Sequence, residues 1–338
     1  MTIRRPGILF EIADRCDARC LHCYQPRECD HRLMSLTEIE RVLDILAENE
    51  YLDVTFSGYE PFTNPDLWEI LAAARKRRFF VNLKTNGLHL SVENVTRLKA
   101  LHVGTVHVSI YSADRDEHDR RAGVPGAYDR ILAGLVLLRE AGIKIVLAAP
   151  LLHPLPDLAQ LTAFAKERDL QLVIDYSIFS SFDKRPEVEA VKLIDDELEA
   201  ALRFQHGVEG DDMDFYAPKE ASFLCHYGDP STFRIDGAGD IYACGKCTLP
   251  LGNLLTDDFA ALVRKAAAER PIIIRDRECN TCDLFAYCSP CPAEALLEGG
   301  SLYGCSAVRK RIAQIKRRIS RSGAAKKTDN TAEDPCQI

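Results

Sequence analysis

No apolar run in this 338-residue chain is long enough to cross a membrane. Nothing at its start reads as a secretory signal: Met1-Thr2-Ile3-Arg4-Arg5-Pro6 is too short for one. Excess positive charge is also missing. The formal net charge is −8, which gives no electrostatic footprint for nucleic acid. A chain lacking these features is expected in the cytoplasm, with neither a membrane nor a nucleic acid as partner. No residue stands out as a catalytic acid or base. Cysteine is absent from the long middle of the chain, between Cys29 and Cys225.

What the chain does have is thirteen cysteines in two groups. A reducing cytoplasm disfavours disulfides, so the grouping argues for two metal-bearing regions. The first group lies in Asp14-Arg15-Cys16-Asp17-Ala18-Arg19-Cys20-Leu21-His22-Cys23-Tyr24, a C-x3-C-x2-C spacing just after a short apolar run. Three thiolates on one loop can hold three irons of a 4Fe–4S cube, and a fourth cysteine would complete the shell. Only Cys29 is at hand, so one iron is left open to a small ligand. Zinc is the alternative, but it would want a fourth ligand at tight spacing, and His22 is a poor candidate.

The length favours two domains, and 46% apolar residues is ample for a sizeable core. Strand signals fall at Ile8 to Ile12, Leu52 to Phe56, Phe79 to Leu83, Thr105 to Ile110, Ile143 to Ala148 and Gln171 to Tyr176. Between them run helical patterns. The first opens on the capping box Ser35-x-x-Glu38, with Ile39, Val42, Leu43 and Leu46 following at helical spacing. Others run from Asp66 to Lys76, Val92 to Leu101, about Ala127 to Ala141, and Asp157 to Arg168. Six such units imply an α/β fold: a parallel sheet curled by right-handed crossovers into a partial (β/α)6 TIM-like barrel. Chemistry then belongs at the carboxyl ends of the strands, where the cysteine loop sits. This core takes residues 1–182, and an acidic bridge with helical pieces takes 183–224. A cysteine-rich region of short elements follows over 225–315. Arg309 to Arg321 reads as a basic helix with a solvated face. Residues 316–338 are the end of that helix and a disordered tail from Ser322, in which Cys336 is a stray thiol.

A C-x3-C-x-aromatic-C loop after the first strand of a β/α barrel resembles the radical S-adenosylmethionine (SAM) superfamily, over roughly Ile8 to Tyr176. The resemblance implies that a cluster on Cys16, Cys20 and Cys23 chelates SAM through its open iron. Reductive cleavage of SAM then yields a 5′-deoxyadenosyl radical that abstracts hydrogen from substrate. The protein binds, orients and excludes water. Ser57-Gly58-Tyr59-Glu60-Pro61 resembles the family's Gly-Gly-Glu-Pro motif, with Tyr59 in place of the second glycine. In that likeness Gly58 permits close backbone approach and Glu60 meets the SAM ammonium. Lys84-Thr85-Asn86-Gly87 is similar to the Thr-Asn-Gly strand end of many members, and Ser109 stands where a polar SAM contact is common. His22 is the aromatic residue expected beside adenine. Relatives often place an arginine just before the glycine of the segment His118 to Tyr128, to meet the SAM carboxylate. Here that position is Ala122, and Arg121 or Arg120 would have to substitute.

The second cysteine group is similar to the SPASM extension: Cys225-x13-Gly239-x4-Cys244, then Cys279-x2-Cys282-x5-Cys288-x2-Cys291, then Cys305. By resemblance, one auxiliary 4Fe–4S cluster takes Cys225, Cys244 and Cys291, with Cys247 as fourth ligand or that iron open. The other takes Cys279, Cys282, Cys288 and Cys305. The C-x2-C pairs also permit a zinc ribbon. Three clusters and SAM are therefore the implied cofactors.

The stretch from Val108 to Leu152 looks most like maturases of ribosomally made precursor peptides. These install thioether or carbon–carbon crosslinks, or otherwise oxidise side chains. A first barrel strand by Ile8 leaves no room for a leader-binding domain, so a separate leader-binding protein is expected, alongside a flavodoxin- or ferredoxin-type reductant. Three rivals stand beside this reading. Sulfatase maturases carry an aspartate directly after the G-x4-C cysteine, where this chain has Gly245. Tetrapyrrole side-chain-modifying enzymes share the C-x-H-C-Y loop. A non-catalytic iron–sulfur carrier or peptide-binding scaffold is the remaining class. Tyr59, Tyr111, Tyr176 and Tyr216 are conceivable substrate contacts, with core packing the better reading of each.

Overall fold

The computed structural model describes residues 7–27, 32–205, 225–275 and 278–329. Six parallel strands come first: β1 (Gly7–Glu11), β2 (Asp53–Ser57), β3 (Phe80–Thr85), β4 (Thr105–Ser109), β5 (Lys144–Pro150) and β6 (Gln171–Asp175). Each pairs with the next in chain order, with Phe10 opposite Phe56, Phe56 opposite Leu83, and Leu83 opposite Val106. The helices α1 (Leu36–Glu48), α2 (Leu67–Lys76), α3 (Val92–Ala100), α5 (Ala127–Glu140) and α6 (Leu158–Glu167) fall between them. Their apolar stripes share one core with alternate strand residues: Ile39, Leu43, Ile70, Leu98 and Leu161 pack with Phe10, Phe56, Leu83 and Val106. Alternation along a strand sends the intervening residues to the other face. The concave side therefore carries Glu11, Ser57, Asn82, Lys84, His107 and Ser109.

Local signals explain where the helices begin. The Ser35 side chain accepts from the Glu38 N–H while the Glu38 carboxylate accepts from the Ser35 N–H, a reciprocal cap worth about 1 kcal/mol. Helix α4 (Arg115–Ala122) is capped by Asp114 and closed by Gly123 at φ +69°. The sequence pattern concealed α4, since Arg-Asp-Glu-His-Asp-Arg-Arg-Ala has no apolar period.

The barrel does not stop at β1. The strand β7 (Arg234–Ile235) pairs parallel to it, and β8 (Asp240–Tyr242) and β9 (Pro250–Asn253) continue antiparallel. One nine-stranded sheet in the order β6-β5-β4-β3-β2-β1-β7-β8-β9 thus spans both halves of the chain. The expectation of only short elements past Cys225 needs correction. Helix α9 (Phe259–Arg275) has 17 residues and α10 (Pro292–Gly299) has eight.

Residues 183–205 of the bridge are part of the packing. Its helices are α7 (Pro186–Ala190) and α8 (Asp195–Gln205). Leu198, Ala201 and Leu202 of α8 pack against Ile312, Ile315 and Ile319 of α11 (Ala307–Asp329). Helix α11 runs past Ser322, where sequence pointed to disorder; Ala324, Ala325, Lys326 and Lys327 are good helix formers. Its arginines are also not a plain solvated face. Arg309 pairs with Glu294, Arg311 with Asp195, Arg317 with Asp283 and Arg318 with Glu199. Cys29, Tyr216 and Cys336 lie outside the described residues.

Candidate active site and cysteine centres

The loop after β1 is held by its backbone. Arg19 and Leu21 donate their N–H groups to the carbonyls of Ala122 and Arg121 at the end of α4, both at 3.0 Å. Arg15 accepts from the Glu60 N–H at 3.1 Å, and the Arg185 guanidinium donates to the Gln25 carbonyl at 2.7 Å. The loop presents three thiols to one space. The Cys20 thiol is pushed up to about 12 by burial, with Cys23 and Cys16 as like-charged neighbours; burial takes Cys16 to about 11 and raises Cys23 as well. The Tyr111 hydroxyl donates to Cys20 Sγ at 3.1 Å, and Asn86 Nδ2 lies 3.6 Å from Cys16 Sγ. A cavity of about 160 Å³ adjoins them, lined by Cys16, Cys20, Cys23, Arg19, Tyr59 and Arg185 among others.

Gly58, at φ +85°, is obligatory: a Cβ there would sit 2.6 Å from the Glu11 Cβ. Glu60 is fully buried and ties two strand ends together. One oxygen accepts from the Thr85 hydroxyl and the Phe62 N–H, the other from the Asn86 N–H at 2.7 Å. Burial raises its pKa to about 7 against those bonds. Three of about four acceptor positions are filled, so Glu60 first of all fixes the loop that carries Asn86. Asn86 in turn donates to Asp17 at 2.8 Å, back in the cysteine loop. His22 meets Tyr111 edge to face at 5.3 Å; burial pushes it down to about 4 and its Nδ1 has no partner among the described residues. Ser109 ends β4 on the concave face, half-buried. Arg120 is exposed, whereas Arg121 is 1% exposed, pairs with Glu117 and donates to the Pro154 carbonyl, and its Nε and Nη1 have no partner among the described residues. The orphaned Arg121 donors suit a carboxylate, and SAM carries one beside its cationic sulfonium and ammonium.

The C-terminal thiols form two further groups. Around Cys244, pushed up to about 12 by burial, the like-charged neighbours are Cys247, Cys291 and Cys225. Around Cys288, pushed up to about 11 by burial, they are Cys279, Cys305 and Cys282. Buried thiols shifted this way gain most from a cation that takes up the thiolate charge. Among the described residues, no three His, Cys, Asp or Glu side chains converge as a single-ion site requires; a cube, with irons at separate corners, asks for wider spacing.

Sequence reasoning missed what holds these groups. Glu11 and Arg234 form a buried ion pair at 2.6 Å. Gln25 donates to Glu11 at 2.7 Å and Arg234 donates to the Cys247 carbonyl at 3.0 Å. One pair thus joins the first cysteine loop to the loop of Cys247. Glu294 is fully buried between Lys246 at 2.5 Å and Arg309 at 2.6 Å. An arginine in Phe233-Arg234-Ile235 was the only visible hint. Gly245 follows Cys244, and a Cβ on it would lie 3.6 Å from the Leu9 side chain.

Residues 10–166 match the model of the radical SAM superfamily. A PqqA peptide cyclase of Granulibacter bethesdensis is 32% identical over 149 residues, which cover 43% of this chain and 40% of that protein. An AdoMet-dependent heme synthase of Methanosarcina barkeri is 35% identical over 136 residues, 40% of this chain and 39% of that one. The chain thus spans about two-fifths of the length of these relatives. In fold it is similar to SuiB of Streptococcus suis bound to S-adenosylmethionine, at a TM-score of 0.69 and 19% identity over 90% of this chain and 77% of that one. SuiB bound to its precursor peptide SuiA gives 0.67.

Proposed function

We propose, from the match of residues 10–166 to the radical SAM superfamily, that this chain is a radical SAM enzyme that oxidatively modifies a ribosomally made precursor peptide, by a thioether or carbon–carbon crosslink. The observation that carries the reading is the meeting of Cys16, Cys20 and Cys23 beside a cavity at the carboxyl end of β1. When bound there, a 4Fe–4S cube supplies the electron that splits SAM into methionine and a 5′-deoxyadenosyl radical. The chain's own residues hold and shield the reactants. Glu60 and Asn86 fix the loop opposite the thiols, and Tyr111 hydrogen-bonds Cys20. His22, Gly58, Ser109 and Arg121 are the remaining proposed SAM contacts. Auxiliary cubes on Cys225, Cys244, Cys247 and Cys291, and on Cys279, Cys282, Cys288 and Cys305, would take the second electron of a crosslink. A flavodoxin- or ferredoxin-type reductant and a separate leader-binding protein complete the proposal.

Support for a peptide substrate comes from the likeness to the PqqA peptide cyclase. A second reading, oxidation of a tetrapyrrole side chain, is favoured by the similar heme synthase. Gly245 speaks against a sulfatase-maturase mechanism, since it offers no carboxylate toward the barrel.

Anaerobic reconstitution and reduction test the reading. Three cubes predict about twelve irons per chain. The reduced protein should form 5′-deoxyadenosine from SAM, and replacing Cys16, Cys20 and Cys23 by alanine should abolish this while about eight irons remain. Undiminished cleavage in that variant would sink the assignment. No cleavage by the intact protein would leave the iron–sulfur carrier.

A further inference from the structure

We propose that Lys84 anchors a carboxylate of the substrate inside the barrel, an inference that rests on the substrate-modifying reading above. Val81, Leu83 and Thr85 turn into the helix-side core, so Asn82 and Lys84 face the concave side. Strand register sets Lys84 beside His107, and Glu11 beside Ser57. Two residues further on, Asn86 reaches to 3.6 Å from Cys16 Sγ. At about 3.3 Å of rise per residue, Lys84 stands roughly 7 Å below the rim that carries the thiols. A group held there lies beneath the place where the hydrogen would be abstracted.

The charge balance of this layer is incomplete. Lys84 makes no hydrogen bond or ion pair with any described residue. The walls of the interior draw off enough water to lower its pKa, and Glu11 is the one group pulling the other way. Glu11 is already engaged, by Arg234 at 2.6 Å and Gln25 at 2.7 Å. His107 is lowered by burial first, then by Lys84 and Lys144, so it supplies no negative charge. Asn82, Thr55 and Ser57 are neutral. Lys84 is therefore a solvent-reachable cation on the concave face, with no counter-ion among the described residues. A partly desolvated ammonium gains most from a carboxylate, because the charge-assisted bond is about twice as strong as a neutral one. The ligand class is an aliphatic carboxylate: an acidic side chain of a peptide, or a propionate arm of a tetrapyrrole.

Two matched pairs of probes test the anchor in the reconstituted, SAM-loaded protein. N-acetylglutamate amide is titrated against N-acetylglutamine amide, and coproporphyrin III against its tetramethyl ester. The charged member of at least one pair should bind about tenfold more tightly than its neutral partner. Lys84→Met should abolish that preference and Lys84→Arg should retain part of it. A preference in the first pair assigns a peptide carboxylate, and one in the second a propionate. Equal binding within both pairs, or a preference that survives Lys84→Met, overturns the anchor. Should Lys84→Met fail to load iron, acetylation of Lys84 in the unaltered protein decides: the favoured carboxylate must slow it, and no protection refutes the proposal. These readouts need no turnover, so absence of 5′-deoxyadenosine would sink the enzymatic reading separately.

Discussion

The three thiols after β1 occupy eight consecutive positions, whereas the four around Cys244 are drawn from Cys225 to Cys291. The first centre is a loop held mainly through its own backbone: the carbonyls of Ala122 and Arg121, the Glu60 N–H and the Arg185 guanidinium are its partners. The second is held by buried ions. Lys246, between Cys244 and Cys247, reaches Glu294, and Arg309 reaches the same carboxylate from α11, whose own carbonyl accepts from Cys288 Sγ at 3.8 Å. A local loop can be fixed by short-range geometry. A centre assembled from distant segments needs contacts strong and directional enough to bring them together.

The largest expected effect tests the ionic clasp. Burial pushes Glu294 up, but Arg309 and Lys246 more than offset it and hold it below the usual carboxylate range. Glu294→Ala would strand both cations, at a cost of about 3–5 kcal/mol for a broken buried pair. Melting temperature should fall and iron should drop toward about four per chain, the first cube alone remaining. Retention of about twelve irons would show that the clasp does not assemble these centres. Next in size is Cys247→Ala. Cys247 is fully buried beside the Tyr227 hydroxyl. Its loss should open one iron, change the electron paramagnetic resonance of the reduced protein, and make that signal respond to added thiol. An unaltered spectrum would make Cys247 a bystander.

Smaller still is Tyr111→Phe, which removes one hydrogen bond to Cys20 Sγ at 3.1 Å. About 1 kcal/mol of stability should go. The first cluster should also become harder to reduce, since hydrogen bonds to cluster thiolates raise the potential; voltammetry reads this directly. The smallest effect lies outside both regions. Burial raises the pKa of Glu197, but the His153 ring and the N–H groups of Leu155 and Ile194 outweigh it, so the net shift is downward from 4.5. A carboxylate depressed on folding stabilises the native state above its unfolded pKa and loses this as pH falls through the folded value. Glu197→Gln should therefore flatten the decline of melting temperature below pH 4.5, with little change at neutral pH.

The same contrast explains what could be read from the chain. Strands near Ile8, Leu52, Phe79, Thr105, Ile143 and Gln171 announced themselves through apolar runs between helical patterns, and Ser35-x-x-Glu38 marked a helix start. The C-x3-C-x2-C loop was legible because its three thiols are neighbours in sequence. Arg234 and Glu11 stand 223 residues apart, and nothing local to either reveals the other. Helix α4 was hidden by its polarity, and the joining of β7 to β1 by the brevity of a two-residue strand. Glu60 shows a subtler gap. Its motif pointed to an ammonium partner, yet three backbone and hydroxyl donors surround it, because a buried carboxylate at a strand end must be satisfied locally.

The pairing of β7 with β1 has a consequence for cutting the chain in two. In the intact sheet β1 is an interior strand, with β2 on one side and β7 on the other. Ending the chain before Cys225 would turn β1 into an edge, baring the N–H of Leu9 that now donates to the Phe233 carbonyl at 3.1 Å. Leu9 would lose its neighbour Gly245 as well. An uncovered edge flanked by apolar side chains is a template for pairing with further copies. The first half alone would therefore tend to self-associate through β1, in proportion to its concentration, and residues from 225 onward serve as its solubilising cover.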